Sequence, residues 1–254
     1  MIAACKSHPS VTNTTAITSS SLTNTKYSFN GFVAYDSAVH TIVLSVAGTD
    51  PLKIKDWIDD LDFFKTDYDL CEDFGTEPCQ VHEGFYESYK TARQQIRETV
   101  EKYRNEHGGA RLVMTGHSLG AILVVLAALD LKHALGIEAD EVVTFGQPRG
   151  GDEAFARFAS GSFTSGSIDE FRVTHFTDPV PHLPPKTFLG DSFFSHPSTE
   201  VYYSERSSLG DHEVCDGSGE DSECADQHDL AVNLNMHLHY LGFDFIKNFL
   251  GCKL

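Results

Sequence analysis

Apolar positions along this chain fall into short blocks with two distinct periods. Phe32-Val33-Ala34-Tyr35 and Thr41-Ile42-Val43-Leu44-Ser45-Val46-Ala47 are compact runs rich in β-branched and aromatic residues, and they read as strands joined by a turn at Asp36 to Val39. The second run is almost wholly apolar, as in a strand covered on both faces. From Phe85 the period changes: Phe85, Tyr89, Ala92, Ile96, Val100 and Tyr103 recur every three or four positions, which predicts an amphipathic helix ending at Gly108-Gly109. Leu112 to Thr115 reads as a strand and Ala121 to Leu129 as a buried helix. Val142 to Phe145 is a further strand, Asp152 to Phe158 a short helix after Gly150-Gly151, and Phe171 to Phe176 another strand. A last helix is predicted to start near His237, with Leu238, Leu241 and Phe245 facing the core. Strands alternating with helices predict an α/β fold, with a mostly parallel sheet and helices on both faces.

Composition narrows this picture. With 254 residues, 41% of them hydrophobic, the chain can bury a sizeable core, and the reading is one domain over residues 1–254. The Gly/Ser/Asp stretch Ser207 to Ser222 is the best linker candidate, but too little chain follows it to form a second domain. The longest apolar run, Ala121 to Leu129, is far short of the roughly 20 residues of a bilayer span, so no transmembrane segment is expected. Nineteen basic against 37 acidic residues give a net charge of −18, with acidic residues crowded at Asp56 to Asp73 and Asp211 to Asp226. Such a surface excludes nucleic acid as a partner and disfavours strongly anionic membranes. Six cysteines form an even set. Cys71 and Cys79 bracket one short acidic loop, Cys215 and Cys224 bracket another, and Cys5 and Cys252 lie near the termini. No spacing suggests zinc or redox chemistry, and no metal or cofactor is expected. Asn13-Thr14-Thr15 is a glycosylation acceptor, and with the cysteines it points to a secreted protein. Met1-Ile2-Ala3-Ala4 lacks the features of a signal peptide, so the chain reads as a mature form with its leader removed.

The candidate chemistry centres on Gly116-His117-Ser118-Leu119-Gly120. Set between the strand at Leu112 and the helix at Ala121, this is a nucleophile elbow: a turn so tight that a Cβ at 116 or 120 would collide with its neighbours. The turn lifts the Ser118 hydroxyl above the sheet and aims the first helical N–H groups at whatever the serine attacks. Serine needs a base, and the base needs an orienting acid. Asp178 follows the strand Phe171 to Phe176 and enters the rigid Pro179-Val180-Pro181, at the strand end where catalytic residues collect in such sheets. Asp169 lies at the wrong end of that strand, and Asp191 lies in a loop with no strand to position it. For the base, His182, His196, His212, His228, His237 and His239 all satisfy the order Ser, Asp, His. His237 and His239, about 200° apart if helical, cannot both face Ser118. A metal on that pair lacks a third ligand.

Beyond the elbow, several motifs stand in a recurrent order. These are Ile42 to Thr49, Trp57-Ile58-Asp59-Asp60-Leu61, Gly84-Phe85, Phe145-Gly146-Gln147-Pro148-Arg149, Asp178 to Pro185 and His237-Leu238-His239-Tyr240-Leu241-Gly242. From about Gly31 to Cys252 the chain resembles the fungal class 3 lipases, the small filamentous-fungus triacylglycerol lipases and their feruloyl esterase relatives. The resemblance implies an α/β-hydrolase fold with a short helical lid. It implies Ser118 as nucleophile, Asp178 as orienting acid and His237, which precedes the Leu-x-Tyr-x-Gly run, as base. It also implies an oxyanion hole made by the Leu119 N–H and by Thr49, and bridges Cys5–Cys252 and Cys215–Cys224. Two positions depart from the family pattern: Ala121 replaces a second glycine after the elbow, and Ala47 stands where arginine is usual.

Ile54, Trp57, Ile58 and Leu61 lie at i, i+3, i+4 and i+7, with Lys55, Asp56, Asp59, Asp60 and Asp62 opposite. The resemblance places this stripe in the mobile lid, approximately residues 50–62. Closed, its apolar side would cover Ser118; open, it would face a lipid–water interface. The expected function is therefore a secreted, monomeric lipase that hydrolyses acylglycerols through an acyl-enzyme. A feruloyl-type or other soluble-ester esterase would carry a polar loop here, and a non-catalytic hydrolase-fold binding protein would have lost a triad member. A phospholipase A1 shares all of these features. Cleft width and rim residues decide between tri-, di- and monoglycerides.

Overall fold

The computed structural model of the protein describes residues 11–20, 27–75, 77–166, 168–197, 199–204, 211–228 and 232–247. Eight strands form one sheet: β1 (Val11–Ser20), β2 (Ser28–Asp36), β3 (Thr41–Val46), β4 (Arg111–His117), β5 (Glu141–Phe145), β6 (Asp169–His175), β7 (Glu200–Tyr203) and β8 (Glu213–Val214). Their order in space is their order in sequence. β3 to β7 are parallel, and the pairs β1–β2, β2–β3 and β7–β8 are antiparallel. Parallel neighbours need crossovers, and the helices supply them: α3 (Glu83–Glu106) joins β3 to β4, α4 (Leu119–Leu135) joins β4 to β5, and α5 (Glu153–Gly166) joins β5 to β6. Two six-residue helices, α1 (Ile54–Asp59) and α2 (Asp69–Phe74), precede α3, and α6 (Leu234–His237) lies near the end of the described chain.

Two faces of the sheet are covered differently. Residues alternating inward, among them Ile42, Leu44, Leu112, Met114 and Val142, join the buried sides of α3, α4 and α5 in the main core. α4 is buried on every side from Gly120 to Leu131, which explains its unbroken apolar sequence. The alternate residues Val143 and Phe145 point the other way and pack with Val173, Tyr203, Tyr240 and Phe245, the last of which begins a helical turn. One carboxylate lies inside the main core: Asp130 of α4 is fully buried and accepts from Arg93 and Arg97 of α3 at 2.6–2.8 Å. Arg93 also reaches Asp69 of α2 at 2.9 Å. Four strong charge-assisted bonds offset the cost of burying that charge and lock three helices together.

The strands at residues 32–35 and 41–47 and the helix from Phe85 lie where their periodicity put them. Three elements depart from expectation. β1, rich in Thr and Ser, lacks an apolar pattern because it is an edge strand; Ile17 is its fully buried anchor, and Thr15 Oγ1 bonds the Tyr103 hydroxyl of α3 at 2.9 Å. The helix after Gly151 runs on to Gly166, with Asp152 accepting from the Phe155 N–H at 2.8 Å. The expected last helix starting near His237 is not formed; α6 instead ends there. His239-Tyr240 pairs with Phe243-Asp244 across a two-residue turn in which both Leu241 (φ 49°) and Gly242 (φ 78°) are left-handed. That turn chemistry outweighs the helical spacing of Leu238, Leu241 and Phe245, and it leaves Leu241 exposed rather than core-facing. Disulfides close both bracketed loops, Cys71–Cys79 and Cys215–Cys224. Cys5 and Cys252 lie outside the described residues, and Asn13 sits in β1 opposite Tyr35.

Glu170 of β6 yields a stability prediction. It is 6% exposed, its Oε1 has no hydrogen-bond partner among the described residues, and burial pushes its carboxyl up to about 8 against the opposing pull of Arg172. A folded-state value raised from 4.5 means that the group's contribution to stability is complete below pH 4.5 and is lost as the pH rises through 8. Glu170→Gln should therefore match the wild type below that lower limit and exceed it at pH 8 by ~4 kcal/mol. Chemical denaturation at the two pH values checks this; a difference that does not change with pH would show a carboxyl ionised throughout.

Candidate active site

Ser118 occupies the single residue between β4 and α4, with φ 59° and ψ −130°, a strained conformation for a residue bearing a side chain. The turn is possible because both flanking glycines lack a side chain. A Cβ on Gly116 would lie 2.3 Å from the Gly120 carbonyl oxygen, and one on Gly120 would lie 2.3 Å from that of Val46. The turn is fixed by the Ser118 N–H donating to Phe145 O at 2.9 Å. Ser118 is 1% exposed, and its Oγ is buried without a hydrogen-bond partner among the described residues.

Asp178 and His237, which are 59 residues apart in sequence, meet beside this turn. The His237 Nδ1–H donates to the Asp178 carboxylate at 2.9 and 3.0 Å, and both side chains are fully buried. The carboxylate also accepts from the Val180 N–H at 2.9 Å and the Tyr240 hydroxyl at 2.5 Å. Burial alone would raise the Asp178 pKa, but His237 first, then Tyr240 and Val180, outweigh it and hold the carboxyl below its ordinary value. With Nδ1 committed, His237 keeps Nε2 as its free acceptor, and this atom is likewise buried and unpartnered among the described residues. The backbone of His237 is held in turn by His117 Nε2, which bonds its carbonyl at 2.7 Å. Burial and the neighbouring His237 push the His117 pKa down to about 3, so that ring stays neutral and donates.

A third buried and unpartnered atom is the Thr49 Oγ1, which follows Gly48 at the end of β3. A Cβ on Gly48 would lie 3.0 Å from that of Ser118, so this strand end abuts the elbow. Leu119 opens α4, and its N–H has no acceptor within the helix. Thr49 and Leu119 both line a cavity of about 400 Å³, walled also by Trp57, Leu61, Phe64 and Phe85. α1 closes over this region. Ile54 is 3% exposed, Trp57 stacks on Phe85 at 6.3 Å, Trp57 and Leu61 pack on the main core, and Ile58 is half-buried. Lys55, Asp56, Asp59, Asp60 and Asp62 face solvent, as the sequence pattern requires.

The other histidine candidates are accounted for elsewhere, and His212 is exposed. His239 is on the surface, bonded to Asn235 O at 2.8 Å and to Asp244 at 3.1 Å. His182 lies at the rim beside Asp226, His196 is bonded to Pro181 O, and His228 to the Tyr202 hydroxyl. Asp169 starts β6 and Asp191 is exposed, both away from the serine's strand end or its buried pocket. Three supports of the site were not assigned from sequence. Tyr240 is one. Gly146 (φ 55°) is another, since a Cβ there would lie 2.9 Å from both Asp178 Oδ2 and His237 Nδ1. Arg149 is the third: it is 3% exposed, forks onto Glu220 at 2.7 and 2.8 Å, and donates to the carbonyls of His182 and Pro184 at 2.8 and 3.0 Å. It pins the segment after Asp178 to the loop that Cys215–Cys224 closes. Gly146 and Arg149 stood in a motif that was visible, but nothing local tells what they touch.

A hydroxyl, an unpartnered imidazole nitrogen and a carboxylate behind that imidazole are the groups that a proton relay for acyl transfer would require. A low-field proton resonance from His237 Nδ1 is expected, present in His239→Ala and absent from Asp178→Asn. Tyr240→Phe should keep the resonance but cost roughly 1.5–3 kcal/mol of stability, the worth of a hydrogen bond to a charged group. Loss of the signal in His239→Ala instead would assign it to the wrong ring.

Residues 43–188 match the family model described as Lipase (class 3). A protein called secreted mono- and diacylglycerol lipase 1, from Fusarium solani, is 33% identical over 214 residues, which cover 82% of this chain and 59% of that one. A lipase of Rhizomucor miehei is 32% identical over 221 residues, covering 86% of this chain and 56% of that one. The chain thus spans somewhat over half the length of these relatives. Among solved structures, a triacylglycerol lipase described as having a serine protease triad at its catalytic centre superposes with a TM-score of 0.75 at 29% identity. The match covers 91% of this chain and 82% of that one.

Proposed function

The chain belongs to the class 3 lipase family, with an α/β-hydrolase fold, and from that premise we propose that it is a secreted carboxylic ester hydrolase acting on acylglycerols at a lipid–water interface. The single observation that carries this reading is that Ser118 Oγ, His237 Nε2 and Thr49 Oγ1 are each buried and unpartnered among the described residues at the elbow, where His117 holds the His237 carbonyl and Gly48, beside Thr49, abuts the Ser118 Cβ. Buried polar groups without partners are costly, and atoms held so in one place are atoms kept for a ligand. Ser118 attacks the ester carbonyl while His237 Nε2 takes its proton, and Asp178 stabilises the resulting imidazolium. The Leu119 N–H and the Thr49 hydroxyl then face the oxyanion. His237 returns the proton to the departing glyceride oxygen, leaving an acyl group on Ser118, and water repeats the cycle to release the fatty acid.

In this reading residues 1–254 act as one domain and a monomer, with residues 50–62 as the lid. The relatives named as secreted and the two disulfides support an extracellular location. Among the described residues no helix is long and apolar enough to cross a membrane. The apolar underside of α1 favours an insoluble substrate over a soluble aromatic ester, because a lid for a soluble substrate gains nothing from Ile54, Trp57 and Leu61. The name of the Fusarium solani relative makes mono- and diacylglycerols the first substrates to test.

Initial rates on tri-, di- and monoglycerides, a phospholipid and methyl ferulate, measured side by side, should be highest on a glyceride. Dominant turnover of methyl ferulate would replace the lipase reading by a soluble-ester esterase. Ser118→Ala should lower kcat by about four to six orders of magnitude with little change in stability. A phosphonate inhibitor should label Ser118, and an adduct on another serine would refute its role. With a short-chain ester the rate should rise sharply past the solubility limit. Trp57, the chain's sole tryptophan, should shift to the blue on neutral micelles. Simple saturation through that limit, with unmoved fluorescence, would remove the lid from the mechanism.

A further inference from the structure

The loop after Asp178 carries a feature that the triad does not use. Thr187-Phe188 pairs antiparallel with Asp191-Ser192, and Leu189 (φ 53°) and Gly190 (φ 93°) turn between them. Phe188 is 57% exposed and Leu189 is 89% exposed, so the tip of this hairpin is apolar and turned to solvent. A left-handed turn position favours glycine or asparagine, and a leucine there is strained as well as ill-suited to water. Among the described residues, no burial offsets that cost.

The tip is not isolated. The Phe188 ring lies 5.3 Å from that of Phe193. Lys65 Nζ sits 4.8 Å from the Phe193 ring centre and donates to its carbonyl at 3.2 Å. Beside Lys65, Phe64 is 66% exposed and lines the cavity that holds Thr49 and Leu119. Exposed apolar side chains therefore lie on both segments that Lys65 brings together, Phe64 at the lid cavity and Phe188 with Leu189 at the hairpin tip. Lys65 thus joins the hairpin to the segment that walls the cavity holding Thr49 and Leu119.

We propose that this hairpin is a fixed lipid-contacting element, separate from the lid, whose Phe188 and Leu189 enter an uncharged acylglycerol surface. Charge decides the kind of surface. The chain carries −18 overall, Asp191 adjoins the turn, and Asp60 and Asp62 stand at the cavity. The two lysines nearest the hairpin are already engaged: Lys65 on Phe193, and Lys186 on Asp226 at 2.6 Å. Neither is left to reach for anionic lipid, so the patch suits a neutral surface. The inference rests on the lipase reading for its biological partner, but its readout is binding rather than turnover.

The test uses the full chain with Ser118→Ala, floated with triolein droplets coated in phosphatidylcholine. Adding Phe188→Ser and Leu189→Asn should lower the partition coefficient about tenfold or more, the effect expected of two apolar side chains withdrawn from lipid. Asparagine suits the left-handed turn, so the hairpin should persist. In the active chain, the same pair should leave hydrolysis of a dissolved short-chain ester unchanged. In a Phe188→Trp variant, brominated triacylglycerol should quench fluorescence beyond the quenching of Trp57 alone. Equal partitioning with and without the double substitution would overturn the proposal, as would tighter binding to phosphatidylglycerol vesicles than to neutral droplets. A concentration-dependent dimer abolished by the double substitution would assign the patch to a second copy of the chain and overturn it as well. Absence of ester hydrolysis by the wild type, with partitioning intact, would instead sink the lipase reading and leave the hairpin's binding role standing.

Discussion

A carboxylate buried to 1% exposure is the constraint on which this site depends. Left alone, Asp178 would take up a proton and lose its hold on His237. Three donors from different parts of the chain keep it ionised: the N–H of Val180 two residues on, the ring of His237, and the hydroxyl of Tyr240. Each imposes a demand on the fold. Val180 must turn back immediately, which the helical turn at Val180–His182 provides. Tyr240 must reach in from the C-terminal hairpin, so the chain has to break its helix at His237 and reverse at Leu241-Gly242. Gly146 must leave room for the pair, and any side chain there would occupy the space of Asp178 Oδ2. The loop that carries Asp178 is then held from outside by Arg149, whose own charge is matched by Glu220 and Asp226. Paired charges thus fix the disulfide-closed surface loop to the segment that follows Asp178.

The elbow solves a complementary problem. The parallel sheet places strand ends and helix starts together, but a serine there would ordinarily be absorbed as a helix cap. Its φ of 59° instead points the side chain away from the helix N–H groups, and no cap bond from it is formed. The strain is carried by tight packing of Gly116 and Gly120 against each other and against β3. Rigid neighbours are what let a sparsely populated conformation persist.

What was legible in the sequence follows from how local each signal is. The elbow could be read because its strand, turn and helix are contiguous, and α3 because its buried face, Phe85 to Tyr103, repeats over about five turns. Asp178 could be read because a strand and two prolines frame it. His237 could not be separated from His239 by pattern alone; the distinction lies in which ring meets a carboxylate 59 residues away, and the resemblance to a family supplied it. The C-terminal hairpin was misread because Leu238, Leu241 and Phe245 have helical spacing by coincidence. The Leu-Gly pair that reverses the chain is a weaker signal than Asn-Gly. Tyr240 and Arg149 stayed hidden for the same reason as β1: their partners lie far off in sequence, and a polar edge strand has no apolar period to announce it.

In the reading proposed above, the lid and the hairpin divide the work of meeting lipid into two terms. Moving Ile54, Trp57 and Leu61 off the core into water would cost up to roughly 1.5–3 kcal/mol for each side chain that is fully buried, so in water the closed state dominates. A lipid phase can reverse this only by as much as it prefers the open form to the closed one. Apolar groups that stay exposed in both states, as Phe188 and Leu189 do, contribute to docking equally whether the lid is open or shut, and so shift nothing between the two. Their effect is to bring the surface to the end of the molecule where α1 lies. On these proposals, affinity for the surface is set mainly by the fixed hairpin, and activation by the lid's differential burial. A change at Phe188 should act on the first without the second, and a change at Trp57 on both, since its ring lines the cavity in the closed state and meets lipid in the open one.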